Sequence, residues 1–369
     1  MNQIKKVSFP SKKFAAKYDT FWQLFTIQSD DFFKTIKSNE RVEEDFFEVL
    51  TRMLDQLYDG IFFLVGMENE DFAELILTPI GLPKNVLLVE ELVAAAPKLT
   101  KWNFRALKPA NPDLDFEIKF GNLIFNKHNI SFFPILHEQY PDEIDLMFVY
   151  DHFHEEVHEE VFNGVFLFLE NYLGEEIMIE SIDNILVKGS DNSNNELIPI
   201  YKLQDYLIWR EKEFVEKNHQ MKYKSQGDDF ISFEGTIDGN VPIVSSVNKN
   251  LIHWEFKTSH PWILSVILNI MDDSYPTEDH SQEKVIINKI QKDIDQLLPE
   301  NKGYIFIGWH KIEGNIEIFY ACQEYRRPSA ALREIEANYA GQIDVKYDLV
   351  KDKYWRMFEW YASSGLFNI

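Results

Sequence analysis

Cysteine is nearly absent: Cys322 stands alone among 369 residues. No disulfide can form within the chain, so it must hold together by packing. Cys322 closes an apolar, strand-like run (Ile316, Ile318, Phe319, Tyr320, Ala321) and reads as a small core residue. Glycine is also scarce, at 15 residues, and none belongs to G-x-G-x-x-G, to a P-loop or to a G-x-S-x-G elbow. The usual backbone cradles for nucleotide phosphates and for an activated serine are therefore not written in the chain. No apolar run approaches the roughly 20 residues of a membrane-spanning helix. Lys5, Lys6, Lys12 and Lys13 are not followed by the apolar stretch of a secretory signal. The expectation is a cytoplasmic protein without membrane contact. Positive charge is the largest deficit: 37 Lys and Arg face 61 Asp and Glu, for a formal charge of -24. Such a balance repels phosphate backbones, so nucleic acid is not an expected partner.

Apolar residues make up 45% of the chain and aromatics 15%, enough for packed interiors. The length suggests two domains. The polar stretch Lys222 to Asp229 reads as a linker, which sets the expected domains at 1–220 and 228–369. In the second, Trp262 to Ile270 reads as a strand, bounded by Asp272-Asp273-Ser274. A helix over 281–298 places Ile287, Ile290, Ile294 and Leu297 on one face. Tyr304 to Trp309 and Asn315 to Cys322 read as a hairpin around Glu313-Gly314. Ser329 to Tyr339 reads as a helix, Ile343 to Leu349 as a strand, and Tyr354 to Ala362 as a terminal helix. The order strand, helix, strand, strand, helix, strand predicts an α+β fold of the ferredoxin-like βαββαβ sandwich type.

The first domain predicts a helix over 40–58, a strand at Ile61 to Val65, a second at Ala73 to Thr78, a helix from Val86 to Ala96, and a strand from Trp102 to Leu107. Two strands are expected between Phe116 and Phe133, one at Leu146 to Tyr150, and a helix from Glu155 to Leu173. Ile177 to Ile179 and Ile185 to Val187 look strand-like, and 203–217 looks helical. Leu54-Asp55-Gln56-Leu57 before Phe63-Leu64-Val65-Gly66 parallels Ile294-Asp295-Gln296-Leu297 before Ile305-Phe306-Ile307-Gly308. The parallel raises a duplicated sandwich as an expectation for the N-terminal half.

Three groups of residues could carry function. His154-Glu155-Glu156-Val157-His158 fits H-E-x-x-H, in which histidines four apart on a helix grip zinc and the glutamate activates water. A metal-dependent hydrolase centred on His154, Glu155 and His158 is therefore one alternative. Against it, Glu156, Glu159 and Glu160 crowd a predicted first helical turn, where carboxylates favour the positive end of the dipole. Secondly, the stretch His128 to Val187 contains no lysine or arginine. Its carboxylates, among them Asp142, Glu143, Asp145, Glu156, Glu159 and Glu160, define an acidic segment over 128–187 that would steer a basic partner. Thirdly, Trp309 and His310 lie where a strand enters a hairpin turn and are expected to be an exposed pair, with a small-ligand cleft nearby as a further alternative.

Pro242, Asn248-Lys249-Asn250-Leu251, Pro261-Trp262, Tyr275-Pro276-Thr277, Tyr304-Ile305-Phe306-Ile307-Gly308, Gly314 and Phe319-Tyr320 form a series. Over about residues 228–362 it resembles the bacterial family called domain of unknown function 695. That resemblance implies no established activity. The family is distantly similar in layout to the ribonuclease E regulator B proteins, acidic proteins that inhibit an enzyme by binding it. The reading that follows is a non-catalytic regulatory or interaction protein that engages a basic protein through its acidic surface, with no cofactor expected.

Overall fold

The computed structural model describes residues 12–190, 195–218, 223–224, 228–237, 241–269, 281–359 and 361. The Tyr275-Pro276-Thr277 motif, Asp272-Asp273-Ser274 and Trp360 lie outside them. The chain divides into two compact units, with the division in sequence between Lys217 and Asn218. Both mix helices and sheets, and none of the described helices is long and apolar enough to cross a membrane.

The N-terminal unit begins with α1 (Lys12–Ser38). Phe14, Tyr18, Phe21, Trp22, Phe25, Phe32, Phe33 and Ile36 recur at helical spacing, and all are buried. Trp22 Nε1 donates to the carbonyl of Leu92 at 2.7 Å, and Tyr18 Oη donates to Glu91 at 2.8 Å. A π-helical turn (Glu43–Phe47) runs into α2 (Glu48–Leu57). β1 (Phe62–Met67) and β2 (Ala73–Thr78) form a hairpin. After α3 (Pro83–Ala94), β3 (Trp102–Ala106) returns parallel to β2. The sheet order is β1-β2-β3, and no described strand precedes β1. Among the described residues, α1 stands where a second βαββαβ set would have its first strand, and its aromatic stripe covers the sheet through Trp22, Phe25, Trp102 and Phe104.

The same unit continues with β4 (Ile118–Phe120), β5 (Leu123–Phe125), β6 (Ile130–Ile135) and β7 (Asp145–Tyr150). Three strands therefore fill the Phe116–Phe133 span where two were expected. α4 (His158–Leu173) and α5 (Glu175–Ser181) follow, then β8 (Asn184–Gly189), β9 (Ile198–Pro199) and α6 (Leu203–Asn218). The sheet runs β8-β7-β6-β9 and buries Phe132, Leu146 and Phe148 against Val161, Val165 and Phe168 of α4. Gly164 lets the Phe125 ring approach: a Cβ there would lie 2.0 Å from that ring.

Ile177 to Ile179 is helical, in α5, against the strand expectation. The cause is Glu175, which is 1% exposed. Its carboxylate accepts from Thr78 Oγ1 at 2.7 and 2.8 Å, from the Gly81 amide at 2.9 Å and from the Lys108 amide at 3.3 Å. The turn after β2 is bent to supply these donors: Ile80 is left-handed (φ 47°), a strained choice for a β-branched residue, and Gly81 follows at φ 71°. The helix that begins at Glu175 is thereby tied to the end of the first sheet.

The C-terminal unit holds one antiparallel six-stranded sheet in the order β10-β11-β13-β14-β12-β15. Its elements are β10 (Phe230–Ile237), β11 (Val241–Asn248), α7 (Lys249–Ile252), β12 (Trp262–Asn269), α8 (Ser281–Leu297), β13 (Tyr304–Ile312), β14 (Asn315–Cys322), α9 (Arg326–Tyr339) and β15 (Asp344–Lys351). Tyr320 Oη donates to Asp295 of α8 at 2.9 Å, and Tyr347 Oη donates to the Ser329 carbonyl of α9 at 3.4 Å. Both tyrosines belong to the face that holds Val266 and Ile318, so the two long helices share it. The opposite face carries a second core of Val247, Leu251, Ile263, Ile305, Phe319, Trp355 and Phe358. The expected terminal helix is entered through a short 3-10 turn at Arg356–Phe358, and Glu359 and Tyr361 are helical, while Trp360 and Ala362 lie outside the described residues. The turn follows a left-handed Trp355 whose indole nitrogen donates to the His260 carbonyl at 2.9 Å. Cys322 is fully buried, which pushes its thiol well above the ordinary range.

Candidate functional site

The C-terminal sheet has six strands, but only β13, β14, β12 and β15 form the set around which α8 and α9 are threaded. Where α8 ends beside the added strand β10, a cavity of about 370 Å³ remains. Asp228, Asp295 and Glu300 contribute carboxylates to its wall, and Phe230, Tyr304 and Phe306 contribute rings. Among the described residues that line it there is no lysine or arginine. Phe230 stacks on Phe306 (centroids 5.6 Å, interplanar 25°), and Phe306 leans on Tyr320 at 5.5 Å. Arg327 lies 5.8 Å from the Tyr304 ring centre, but its Nε is engaged by the Leu297 carbonyl at 3.0 Å.

The wall is rich in phenol–carboxylate pairs. Tyr320 donates to Asp295, Tyr223 to Asp228, and Tyr304 to Glu324. Burial, then the bond to Asp228, pushes Tyr223 up to about 12. Burial, then the neighbouring Glu324, raises Tyr304 further. Burial raises the Asp295 carboxyl despite the hydrogen bond from Tyr320. Each ionised carboxylate has two oxygens, so one tyrosine bond leaves Asp228 and Asp295 with acceptor capacity for another donor. A cation with an apolar stem would find charge at one end and aromatic faces along its length.

On the opposite face of the sheet a polar network crosses four strands. His310 Nε2 lies 2.9 Å from Glu317 Oε2, and Ser265 donates to the other Glu317 oxygen. His310 Nδ1 lies 3.3 Å from Tyr361 Oη, which is 2.9 Å from Ser245 Oγ. Burial raises the Glu317 carboxyl, but the bonds from His310 and Ser265 outweigh it and hold it below the ordinary range. Tyr361 is pushed up to about 12 by burial. Ser245 and Tyr361 are sealed from solvent (0% and 1% exposed), so the network braces the sheet and offers no open nucleophile.

Trp309 and His310 do not form one exposed pair. The pairing of β13 with β14 slips between Phe306 and Gly308, a β-bulge that puts Ile307 and Gly308 on the same face. Beyond it, Trp309 lies opposite Ile318 on the helix-covered face, and His310 lies opposite Glu317 on the other. Both are half-buried.

His154, Glu155 and His158 do not have the geometry of a zinc helix. His154 precedes a 3-10 turn (Glu155–Val157), and α4 starts only at His158, so the two imidazoles are not stacked on one α-helical face. All three residues are exposed, as are Glu156, Glu159 and Glu160. The acidic segment divides in two. Asp142 is bound to Lys217 at 2.5 Å, Asp145 is buried between His137 and Asn184, Glu170 pairs with Lys108 at 2.9 Å, and Glu143 is half-buried. Asp142 and Asp145 are thus internal fastenings, contrary to the expectation of a docking surface. The exposed remainder is the first turn of α4 and its approach, together with Glu138, Glu176 and Glu180. Among the described residues, the group whose histidine and carboxylate ligand atoms lie within 4.8 Å of one another is His137, Glu143 and Asp145, and none of the H-E-x-x-H residues belongs to it.

The cavity depends on β10, which the sequence reading passed over. The signal was present: Phe230 to Ile237 and Val241 to Asn248 flank Asp238-Gly239-Asn240, a strong hairpin sequence. Comparison with protein-family models, with curated proteins and with solved structures returned no match.

Proposed function

We propose that this protein is a non-catalytic binding protein that captures a cationic group of a basic protein partner. The observation that carries this reading is the cavity beside α8: among the described residues, three carboxylates, three aromatic rings and no basic side chain surround about 370 Å³. That volume suits a small group or an inserted side chain. A lysine or arginine side chain matches it, the alkyl or guanidinium portion against Phe230, Phe306 and Tyr304 and the charge toward Asp295 and Asp228. Phosphate-bearing partners are disfavoured by the same carboxylates, which argues for protein over nucleic acid. The exposed carboxylates at the start of α4 would add long-range steering toward a basic surface. A second reading, a sensor of a small organic cation, draws on the same cavity and differs only in whether the cation is free or tethered.

The finer fold assignment belongs to the same proposal. The strand order β13-β14-β12-β15, with α8 and α9 on one face, supports a ferredoxin-like sandwich extended by the β10–β11 hairpin. The resemblance to domain of unknown function 695 rests on residues 228–362, and a cytoplasmic address is part of the reading.

The test is titration of the full chain with a lysine-rich peptide, an arginine-rich peptide, a glutamate-rich control and free cadaverine, at low and high salt. Binding of a basic peptide that weakens with salt, and that falls at least about tenfold in Asp295→Asn and in Phe306→Ala, is expected. Cadaverine alone binding as tightly as any peptide would favour the sensor. Equal binding of the acidic control, or basic-peptide binding untouched by both substitutions, would overturn the proposal.

A further inference from the structure

The connection between β6 and β7 passes through a stretch of sequence without a single lysine or arginine, yet it brings two carboxylates and an imidazole together. Asp145 is the first residue of β7 and is held on both sides of its strand, opposite Ile135 of β6 and Asn184 of β8. Its exposure is 7%. Asn184 Nδ2 donates to one of its oxygens at 2.7 Å, which fixes the carboxylate plane and leaves the other oxygen 2.8 Å from His137 Nε2. Glu143, two residues earlier, brings its carboxylate to the same point, so that all three ligand atoms lie within 4.8 Å of one another. Ile144 between them is fixed through its amide, which donates to Asp183 at 2.7 Å.

The cluster brings two carboxylates and one imidazole together. Beside it, Lys217 pairs with Asp142, and Arg210 donates to the carbonyls of Pro141 and Glu143 at 2.6 and 3.5 Å. Donor atoms around one divalent ion with bonds near 2.1 Å are about 3–4 Å apart. Shifts of up to about 1 Å in the loop that carries His137 and Glu143 would bring this set into that range, with Asp145 anchored on its strand. His137 is a third exposed at its side chain, which leaves a way in from solvent.

We infer that His137, Glu143 and Asp145 form a site for one divalent first-row metal ion, with Zn²⁺ the best match. One imidazole and two carboxylates suit a borderline ion better than the all-oxygen shells that Ca²⁺ and Mg²⁺ prefer. Asn184 acts from outside the ligand set by orienting Asp145, the arrangement that such sites use to tune affinity. Three protein ligands leave further positions to water, and the ion would clip the loop between β6 and β7 onto the sheet. It requires no catalytic role.

The competing location for zinc is the exposed trio His152, His154 and His158. Calorimetric titration of the full chain with ZnCl₂ separates the two. One strong site is expected, lost by at least about tenfold in His137→Ala and in Asp145→Asn and retained in the double variant His154→Ala/His158→Ala. Retention of an unweakened site in His137→Ala, loss in the H-E-x-x-H variant, or no binding by the wild-type chain would each overturn the inference. His137→Ala changes a partly exposed loop side chain, and its circular dichroism and melting curve without metal verify that it folds. A rise in melting temperature on adding Zn²⁺, present in the wild type and abolished in His137→Ala, is the second expected readout.

Discussion

In the N-terminal unit the carboxylate of Glu175 is closed in by a hydroxyl and two backbone amides, with 1% of the residue exposed. In the C-terminal unit Asp295 sits on α8 over the end of a sheet, takes one bond from Tyr320 and faces an open cavity. Both are acidic residues among packed aromatics and aliphatics. The first has both oxygens met by donors of the chain itself, whereas the second has one such bond among the described residues. A buried polar group that is fully satisfied holds a fold together, and one left with spare capacity is where a ligand can add something. The molecule carries both kinds, and the difference separates its scaffold from its candidate binding surface.

The comparison breaks most visibly at Glu175. Glu175→Gln keeps the shape but turns an NH₂ toward donors from Thr78, Gly81 and Lys108. Destabilisation of about 3 kcal/mol or more is expected, read as a lower urea midpoint. Asp295→Asn, by contrast, is expected to cost under about 1 kcal/mol, because the Asn amide oxygen still accepts from Tyr320 and no charge is left partly desolvated. Similar losses at the two positions would erase the distinction.

How far the sequence revealed this is uneven, for identifiable reasons. The hairpin of β13 and β14 is legible because Ile316, Ile318 and Tyr320 alternate around Glu313-Gly314, and the α8 stripe of Ile287, Ile290 and Ile294 has helical spacing. The α5 segment misleads because its inward helical face, Glu175 and Ile179, begins with a glutamate that any polar-outside rule assigns to solvent. α1 is hard to score because Phe, Tyr and Trp are only middling helix formers, even though their spacing marks a face. The bulge at Ile307 has no sequence signature, yet it decides which face His310 occupies. The cavity was half visible: Asp295, Tyr304 and Phe306 lie in elements read correctly, and Phe230 lies in a strand that was not read.

A smaller effect comes from Glu317, which is neither sealed like Glu175 nor open like Asp295. Its folded carboxyl is held below the ordinary range, so it stabilises the fold above the unfolded carboxyl range and loses that contribution as pH falls through its folded value. The wild type is therefore expected to lose stability below about pH 4 more steeply than Glu317→Gln. Melting temperatures for both proteins between pH 3 and 7, about four units, test this; parallel curves would mean that the network contributes no linkage.

The smallest effect is expected at the start of α4. Glu155, Glu156, Glu159 and Glu160 are all exposed, and a helix start favours negative charge by only a few tenths of a kcal/mol per residue in solvent. Replacing all four with glutamine should therefore move stability by about 1 kcal/mol at most. If these carboxylates steer a basic partner, the association rate should fall a few-fold at low salt, with dissociation unchanged and the difference vanishing above about 0.5 M salt. Steering and capture are separable in this way: a slower on-rate belongs to α4, a faster off-rate to the cavity wall. A quadruple variant that instead accelerates dissociation would place these carboxylates inside the interface and make the turn, not the cavity, the docking surface.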